Sequence, residues 1–180
     1  MKILAIVGLP GSGKSTAMEA IEDLGAIVTM GDIVRDEAKR RNIEPSGKNL
    51  GRLANELREL EGQDVIAKKC VKKVSDKEDE IIFIDGLRSL AEVAIFRNIW
   101  KFPIIAIIAD EKKRLRRLFK RARSDDPKSI EDIKERDKRE LQFGLDKVIK
   151  EADFKIKNNS TINDLKIKVR DLVINILKNY

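Results

Sequence analysis

Three stretches of the chain are apolar at every position: Ile3–Val7, Ile81–Ile84 and Ile104–Ala109. A run with no polar member has no face to offer water. Such runs predict parallel strands covered by helices on both sides. Weaker strand patterns fall at Ala26–Met30 and Phe154–Lys157. Between the strands, apolar residues recur at helical spacing. Helices are predicted over Lys14–Leu24 and over Ile33–Arg41, the latter after an N-cap at Asp32. Leu50, Leu53, Leu57 and Leu60 make one stripe, and Ile66, Cys70, Val71 and Val74 another, with Gly62 as the bend between them. Leu90, Val93 and Ile99–Trp100 predict a further helix, and Leu115, Leu118, Phe119 and Ala122 the next. One long helix is predicted over Ile130–Ile149. The last follows Ile162, Leu165, Val169, Leu172, Val173 and Ile176, opened by Thr161 with Asp164 in a capping-box pattern. Alternating strands and helices predict an α/β three-layer sandwich around a five-stranded parallel sheet.

Composition narrows the chemistry. A chain of 180 residues, 42% hydrophobic, suits one compact domain. It has no apolar run near the ~20 residues that cross a bilayer. The opening MKILAIVGL runs straight into a Gly-rich motif, so it reads as a strand and not a signal peptide, which predicts a cytoplasmic protein. Cys70 is the sole cysteine and there is no histidine. An intrachain disulfide, a Cys/His zinc site and a histidine base are therefore excluded. A metal here would be a hard cation on oxygen ligands, which suits Mg²⁺. Charged residues reach 38%, and Gln63 and Gln142 are the only glutamines, a composition that suits a heat-adapted source. The net charge of +7 fits polyphosphate substrates, nucleic acid or a plain Lys-rich surface. The motifs favour a small-molecule partner over nucleic acid.

Residues Gly8 to Thr16 read GLPGSGKST, which contains the pattern GxxxxGKS/T between an apolar strand and a helical pattern. Glycines at this spacing let successive backbone N–H groups curl around phosphates. Gly8, Gly11, Ser12 and Gly13 are thus candidate ATP contacts. Lys14 is a point charge for the β- and γ-phosphates, Ser15 a hydroxyl for Mg²⁺, and Thr16 a further phosphate contact. The strand Ile81–Ile84 ends in Asp85, a candidate second holder of Mg²⁺.

Other segments resemble nucleotide kinases. Met30-Gly31-Asp32-Ile33-Val34-Arg35 resembles the TGDxxR segment of adenylate kinases, and Asp85-Gly86-Leu87-Arg88 their DGFPR. The resemblance implies that Asp32, Arg35 and Arg88 face the acceptor. Arg117-Leu118-Phe119-Lys120-Arg121 has the RxxxR spacing that opens the adenylate-kinase lid, which implies catalytic roles for Arg117 and Arg121. Glu92 lies near the usual adenine-reading Gln. Ala152-Asp153 followed by Asn158 is similar to the late strand and base-side turn of nucleotide and dephospho-coenzyme A kinases. Over nearly its whole length the chain is similar to small archaeal adenylate-kinase-related proteins, through the DGLRS, RARSDD-like and RDxxE-like stretches. It departs from true adenylate kinases at Glu92, an acid near the usual adenine-reading Gln, and in three further places. Met30 replaces a Thr or Ser, Leu87 replaces a Phe-Pro pair, and the lid region is short.

Arg114, Arg117 and Arg121 share one helix face, as a lid requires when phosphoryl transfer spreads charge over equatorial oxygens. Asp137 stands on the inward row between Ile133 and Leu141. A carboxylate there needs a partner, and the expectation is that it orients a lid arginine, Arg117 or Arg121. Asp137→Asn would then lower turnover more than ATP affinity. Arg58 is either a phosphate contact or half of a surface pair with Glu61. The reading is a P-loop kinase domain with an acceptor-binding insertion at about 31–75 and a lid at about 117–137. It transfers the γ-phosphoryl group of ATP to a nucleotide-like acceptor such as AMP. The alternatives are a dephospho-coenzyme A kinase-like enzyme, in which Asp32 would be the base, and an ATPase switch acting on RNA or protein assemblies.

Overall fold

A computed structural model describes residues 1–121 and 129–180, without the Arg121 side chain. Five strands, β1 Lys2–Val7, β2 Ala26–Thr29, β3 Ile81–Asp85, β4 Ile104–Ile108 and β5 Phe154–Lys157, form one sheet in the order β2-β3-β1-β4-β5. Every pairing is parallel, with Ile3 opposite Ile82 and Ile6 opposite Ile105. The predicted five-stranded parallel α/β sheet is the observed one. Parallel neighbours need crossovers, and nine helices among the described residues supply them: α1 Lys14–Glu19, α2 Met30–Arg40, α3 Gly47–Glu61, α4 Val65–Ser75, α5 Leu90–Arg97, α6 Glu111–Arg121, α7 Ile130–Gln142, α8 Leu145–Lys150 and α9 Ile162–Lys178.

The pleat sorts alternate residues of each strand into two cores. Ile3, Ala5, Val7, Ile82, Ile84, Ile104 and Ala106 join apolar residues of α2, α3, α4, α5 and α8 on one face. Leu4, Ile6, Phe83, Ile105, Ile107 and Ile156 join α1 and α9 on the other. Burying each large aliphatic side chain contributes about 1.5–3 kcal/mol, so strands apolar on both faces hold both layers. Cys70 sits in the first core with no exposed surface, and burial pushes its thiol up to about 12. Leu118 of α6 and Ile133 of α7 are buried outside both cores. Helix α6 is tied instead to the loop after β1, through Arg114 to Pro10 and Arg117 to Ser12, and α7 to Arg114 and Arg88. Among the described residues no helix is long and apolar enough to cross a membrane.

Several boundaries differ from expectation. Helix α1 ends at Glu19 and continues as turns, in which Ile21 and Leu24 donate to Met18 and Ile21 carbonyls. Helix α2 starts three residues before Ile33. Its N-cap is Thr29, and Asp32 lies inside its first turn. The predicted bend at Gly62 is real, since Gly62 caps α3 with φ 101°. The single helix expected over Ile130–Ile149 is two, because Gly144 takes φ 99° between α7 and α8. At α9 the Thr161 hydroxyl accepts from the Asp164 N–H as expected, while the Asp164 carboxylate pairs with Lys168 and Ser160.

Candidate functional site

The C-terminal ends of parallel strands converge, and the crevice outside them takes ligands where the following helices part to opposite faces. Here α1 follows β1 onto one face and α5 follows β3 onto the other. Between those ends lies a cavity of about 530 Å³. One wall is the loop after β1: Gly8, Gly11, Gly13, Lys14, Ser15 and Thr16 all line it. The opposite wall holds Gly31, Arg35, Gly86 and Arg88, and Arg117, Lys120, Arg136 and Glu140 close it from α6 and α7.

The loop's glycines are required by its neighbours. Gly13 has φ 111°, and a Cβ there would collide with the Asn158 side-chain amide. Gly11 has φ 75°, and its Cβ would lie 2.7 Å from the Arg114 carbonyl. A side chain at either position would both strain the backbone and push the loop off the residues it packs against. Lys14 Nζ donates to the Gly8 carbonyl at 2.6 Å and the Leu9 carbonyl at 3.3 Å, which bends the ammonium over the loop. Burial lowers the Lys14 pKa below its ordinary value, and nearby Asp85 and Glu140 offset part of that shift.

Asp85 ends β3 facing the same cavity, and its Oδ1 is buried without a hydrogen-bond partner. An orphaned carboxylate oxygen beside a phosphate-shaped loop fits a hard cation. Among the described residues no three His, Cys, Asp or Glu side chains converge on a metal, so Ser15, which also lines the cavity, is the fitting second donor.

Across from the loop, Arg88 Nε donates to Glu140 Oε2 at 2.5 Å. Burial works against both charges, but the pairing outweighs it: Arg88 is raised and Glu140 lowered from their ordinary values. A carboxylate held below its unfolded value stabilises the fold fully above the ordinary 4.5, and that stabilisation is lost as pH falls through the folded value. A Glu140→Gln protein should therefore lose melting temperature less steeply than the parent from neutral pH into the acid range. Parallel melting curves for the two proteins would contradict this.

Comparison with known proteins gives the ancestry. The AAA_17 family model, an AAA domain, matches residues 7–134. A UPF0200 protein of Methanosarcina barkeri is 40% identical over 99% of this chain and 97% of its own length. The chain belongs to the UPF0200 family. A UPF0200/UPF0201 protein of Archaeoglobus fulgidus is 45% identical over 99% of this chain, which spans 57% of that longer protein. Among solved structures, TT1252 from Thermus thermophilus superposes with a TM-score of 0.66 at 18% identity, covering 97% of each chain. Shikimate kinase from Acinetobacter baumannii, in complex with shikimate, superposes at 0.61 and 13% identity over 99% of this chain and 94% of that one. At these identities the likeness shows the fold, that of P-loop kinases.

In this UPF0200 member the cavity gathers most of the residues singled out from sequence. Ser12 and Asn158 are buried at its edge: Asn158 Nδ2 donates to the Ser12 carbonyl at 2.7 Å, and Asn158 lines the cavity. Arg117 lines it too, donating to the Asn158 carbonyl at 3.1 Å and the Ser12 carbonyl at 3.4 Å. Arg121 ends α6, with its side chain outside the described residues, as is the 122–128 part of the expected lid. Arg35 lines the cavity paired with Asp32 at 2.7 Å, while Asp32 is absent from the lining.

Arg58 and Glu92 are corrected. Arg58 is neither a phosphate contact nor a partner of Glu61. It donates to Glu92 at 2.8 Å, with side chains 2% and 0% exposed, and its guanidinium lies over the Phe143 ring. The other Glu92 oxygen accepts from the Arg88 and Ser89 N–H groups. Neither residue lines the cavity, and of the expected insertion 31–75 only Gly31 and Arg35 reach it. Asp137 is corrected as well: its partner is Arg114. Glu140 was missed, although the RDxxE-like stretch contains it. The row Ile133, Asp137, Glu140 faces inward, whereas Leu141 is 43% exposed.

Proposed function

We propose that the chain is an ATP-dependent phosphotransferase that moves the γ-phosphoryl group of ATP to an acceptor held by its phosphate, with a nucleoside monophosphate such as AMP as the leading acceptor. One observation carries this reading. A single cavity joins a glycine-built loop with Lys14 to a facing wall that bears Arg35 and Arg88. Phosphoryl transfer needs two phosphates in line and donors for the charge that develops between them. The loop amides, Lys14 and Thr16 bind the donor. Ser15 and Asp85 would hold Mg²⁺, which when bound neutralises charge on the β- and γ-phosphates. Arg88 and Arg35 bind the acceptor phosphate, while Arg117 meets the transferring group from α6, a role that the RxxxR resemblance also implies for Arg121. An acceptor phosphate supplies its own nucleophilic oxygen, so no base is required.

A second reading rests on Glu140. If the acceptor is a hydroxyl, as in a dephospho-coenzyme A-like compound, a carboxylate must take its proton. Glu140 lies in the cavity and Asp32 does not, so Glu140 replaces Asp32 as the candidate base. The protein is read as a cytoplasmic one acting on small molecules, with an RNA- or assembly-dependent ATPase as the competing class.

The test measures ADP formation and phosphorylated product with each nucleoside monophosphate, with dephospho-coenzyme A, and with RNA. Monophosphate-dependent ADP formation is the expected result. Because Glu92 is sealed away from the cavity, the four bases should differ by about 10²-fold or less in kcat/KM. Hydrolysis that responds to RNA and leaves no phosphorylated acceptor would replace this reading with the switch.

A further inference from the structure

We infer that Arg114 and Asp137 are a positioning pair that sets the shape of the donor-phosphate loop from outside the cavity, an inference that rests on the donor side of the proposed function. Arg114 is 5% exposed and is not part of the cavity lining, so it acts through the loop and not on a ligand. Its Nη1 donates to the Pro10 carbonyl at 2.8 Å and to Asp137 Oδ1 at 3.2 Å, and its Nη2 donates to Asp137 Oδ2 at 2.6 Å. The two-pronged pairing fixes the plane of the guanidinium. The remaining direction of Nη1 is then aimed at Pro10.

Peptide planarity carries the effect into the cavity. In a trans peptide the C=O of one residue and the N–H of the next point opposite ways. Drawing the Pro10 carbonyl toward α6 therefore turns the Gly11 N–H away from α6. The same logic repeats two residues on. The Ser12 carbonyl is held by Asn158 at 2.7 Å and by Arg117 at 3.4 Å, which orients the Gly13 N–H. Gly11 and Gly13 both line the cavity. Asn158 is itself fixed, since its N–H donates to the Ile108 carbonyl at 2.7 Å. The loop is thus gripped at alternate carbonyls, and the amides between them are presented as a set. Asp137 is the member that makes this stable, because a buried guanidinium without a counter-charge would turn toward water.

The expectation drawn from sequence is reversed. Asp137 serves the donor loop, so its loss should appear in nucleotide affinity. The experiment measures binding of Mg²⁺–ADP and of tripolyphosphate to the full chain by calorimetry, in the parent, Asp137→Asn, Arg114→Lys and the double variant, with a melting curve for each. The parent should bind both ligands. Each single variant should weaken both ligands by the same factor, roughly 10- to 100-fold. The double variant should be no weaker than the worse single, because one unit has been removed. Glu135→Gln, an exposed position of α7 outside the cavity lining, should keep ADP affinity within about threefold of the parent.

Single variants that bind ADP as the parent does would overturn the inference. So would a loss seen with ADP and absent with tripolyphosphate, or losses that multiply in the double variant. If Asp137→Asn melts below the assay temperature, Asp137→Glu takes its place. It keeps the charge on a longer arm and should weaken both ligands while melting with the parent; unchanged affinity there overturns the inference as well. A parent that binds neither ligand would sink the donor reading and this inference together, and that result is visible before any variant is made.

Discussion

Lys14→Ala is expected to lower phosphoryl-transfer turnover by about 10²–10³-fold without lowering the melting temperature. The two halves of this expectation have one cause. Lys14 Nζ is directed at the Gly8 and Leu9 carbonyls inside the cavity, where a donor phosphate would give it a full counter-charge. Preorganised charge of this kind acts most strongly where water is excluded. Without a ligand the same burial is a cost, and it lowers the Lys14 pKa. A lysine whose folded pKa lies below its unfolded value opposes folding at neutral pH, and that opposition fades as pH rises through the folded value. Removing the ammonium should leave the apo protein at least as stable as the parent. Turnover with the best acceptor and a melt of the apo protein check both halves. Turnover within about threefold of the parent would count against the loop as the catalytic centre.

Glu92→Ala is expected to destabilise the fold by roughly 3–5 kcal/mol, or about 10 °C in melting temperature for a chain of this size. Glu92 has no exposed surface. One oxygen takes the Arg58 guanidinium, and the other caps α5 by accepting from Arg88 and Ser89. Truncation to Ala leaves Arg58 charged and buried without its counter-ion, and it frees two backbone donors at the α5 N-terminus. The cost is mostly that of what remains behind. Replacing both partners, as Arg58→Met with Glu92→Leu, should recover much of the loss, since no orphan charge stays. A thermal melt of the three variants reads this directly. A Glu92→Ala protein melting within about two degrees of the parent would show that the pair holds little.

The contrast between these two residues explains what could be read from sequence. The strands were legible because burial on both faces leaves a local signature, an unbroken apolar run. The loop was legible because its chemistry requires glycines at fixed intervals beside Lys14. Long-range ion pairs leave no such trace. Arg58 and Glu92 are 34 positions apart, and nothing in the periodicity of either helix marks them as partners. Both are expected on the acceptor side, Glu92 by resemblance and Arg58 by its place on α3, but the cavity reaches neither residue. Asp137 was recognised as an acid on an inward row. Its partner was expected among the arginines nearest the lid, whereas the buried Arg114 sits one turn earlier on α6. Glu140 was passed over because an unbroken helix to Ile149 places Leu141 inward. In the structure α7 ends before Gly144, Glu140 is buried against Arg88, and Leu141 is exposed. The short α1 was hidden for a similar reason: its turns keep Ile21 and Leu24 packed as a continued helix would.

Cys70 has a practical consequence. The reactive species toward alkylating dyes and maleimides is the thiolate, and a thiol pushed up to about 12 with no exposed surface supplies almost none of it. A cysteine installed on the surface would therefore carry a fluorophore or spin label alone, with the native sulfur left in place. The same sulfur becomes a stopwatch when the molecule opens. Its rate of alkylation in rising urea would time how often α4 comes away from the sheet.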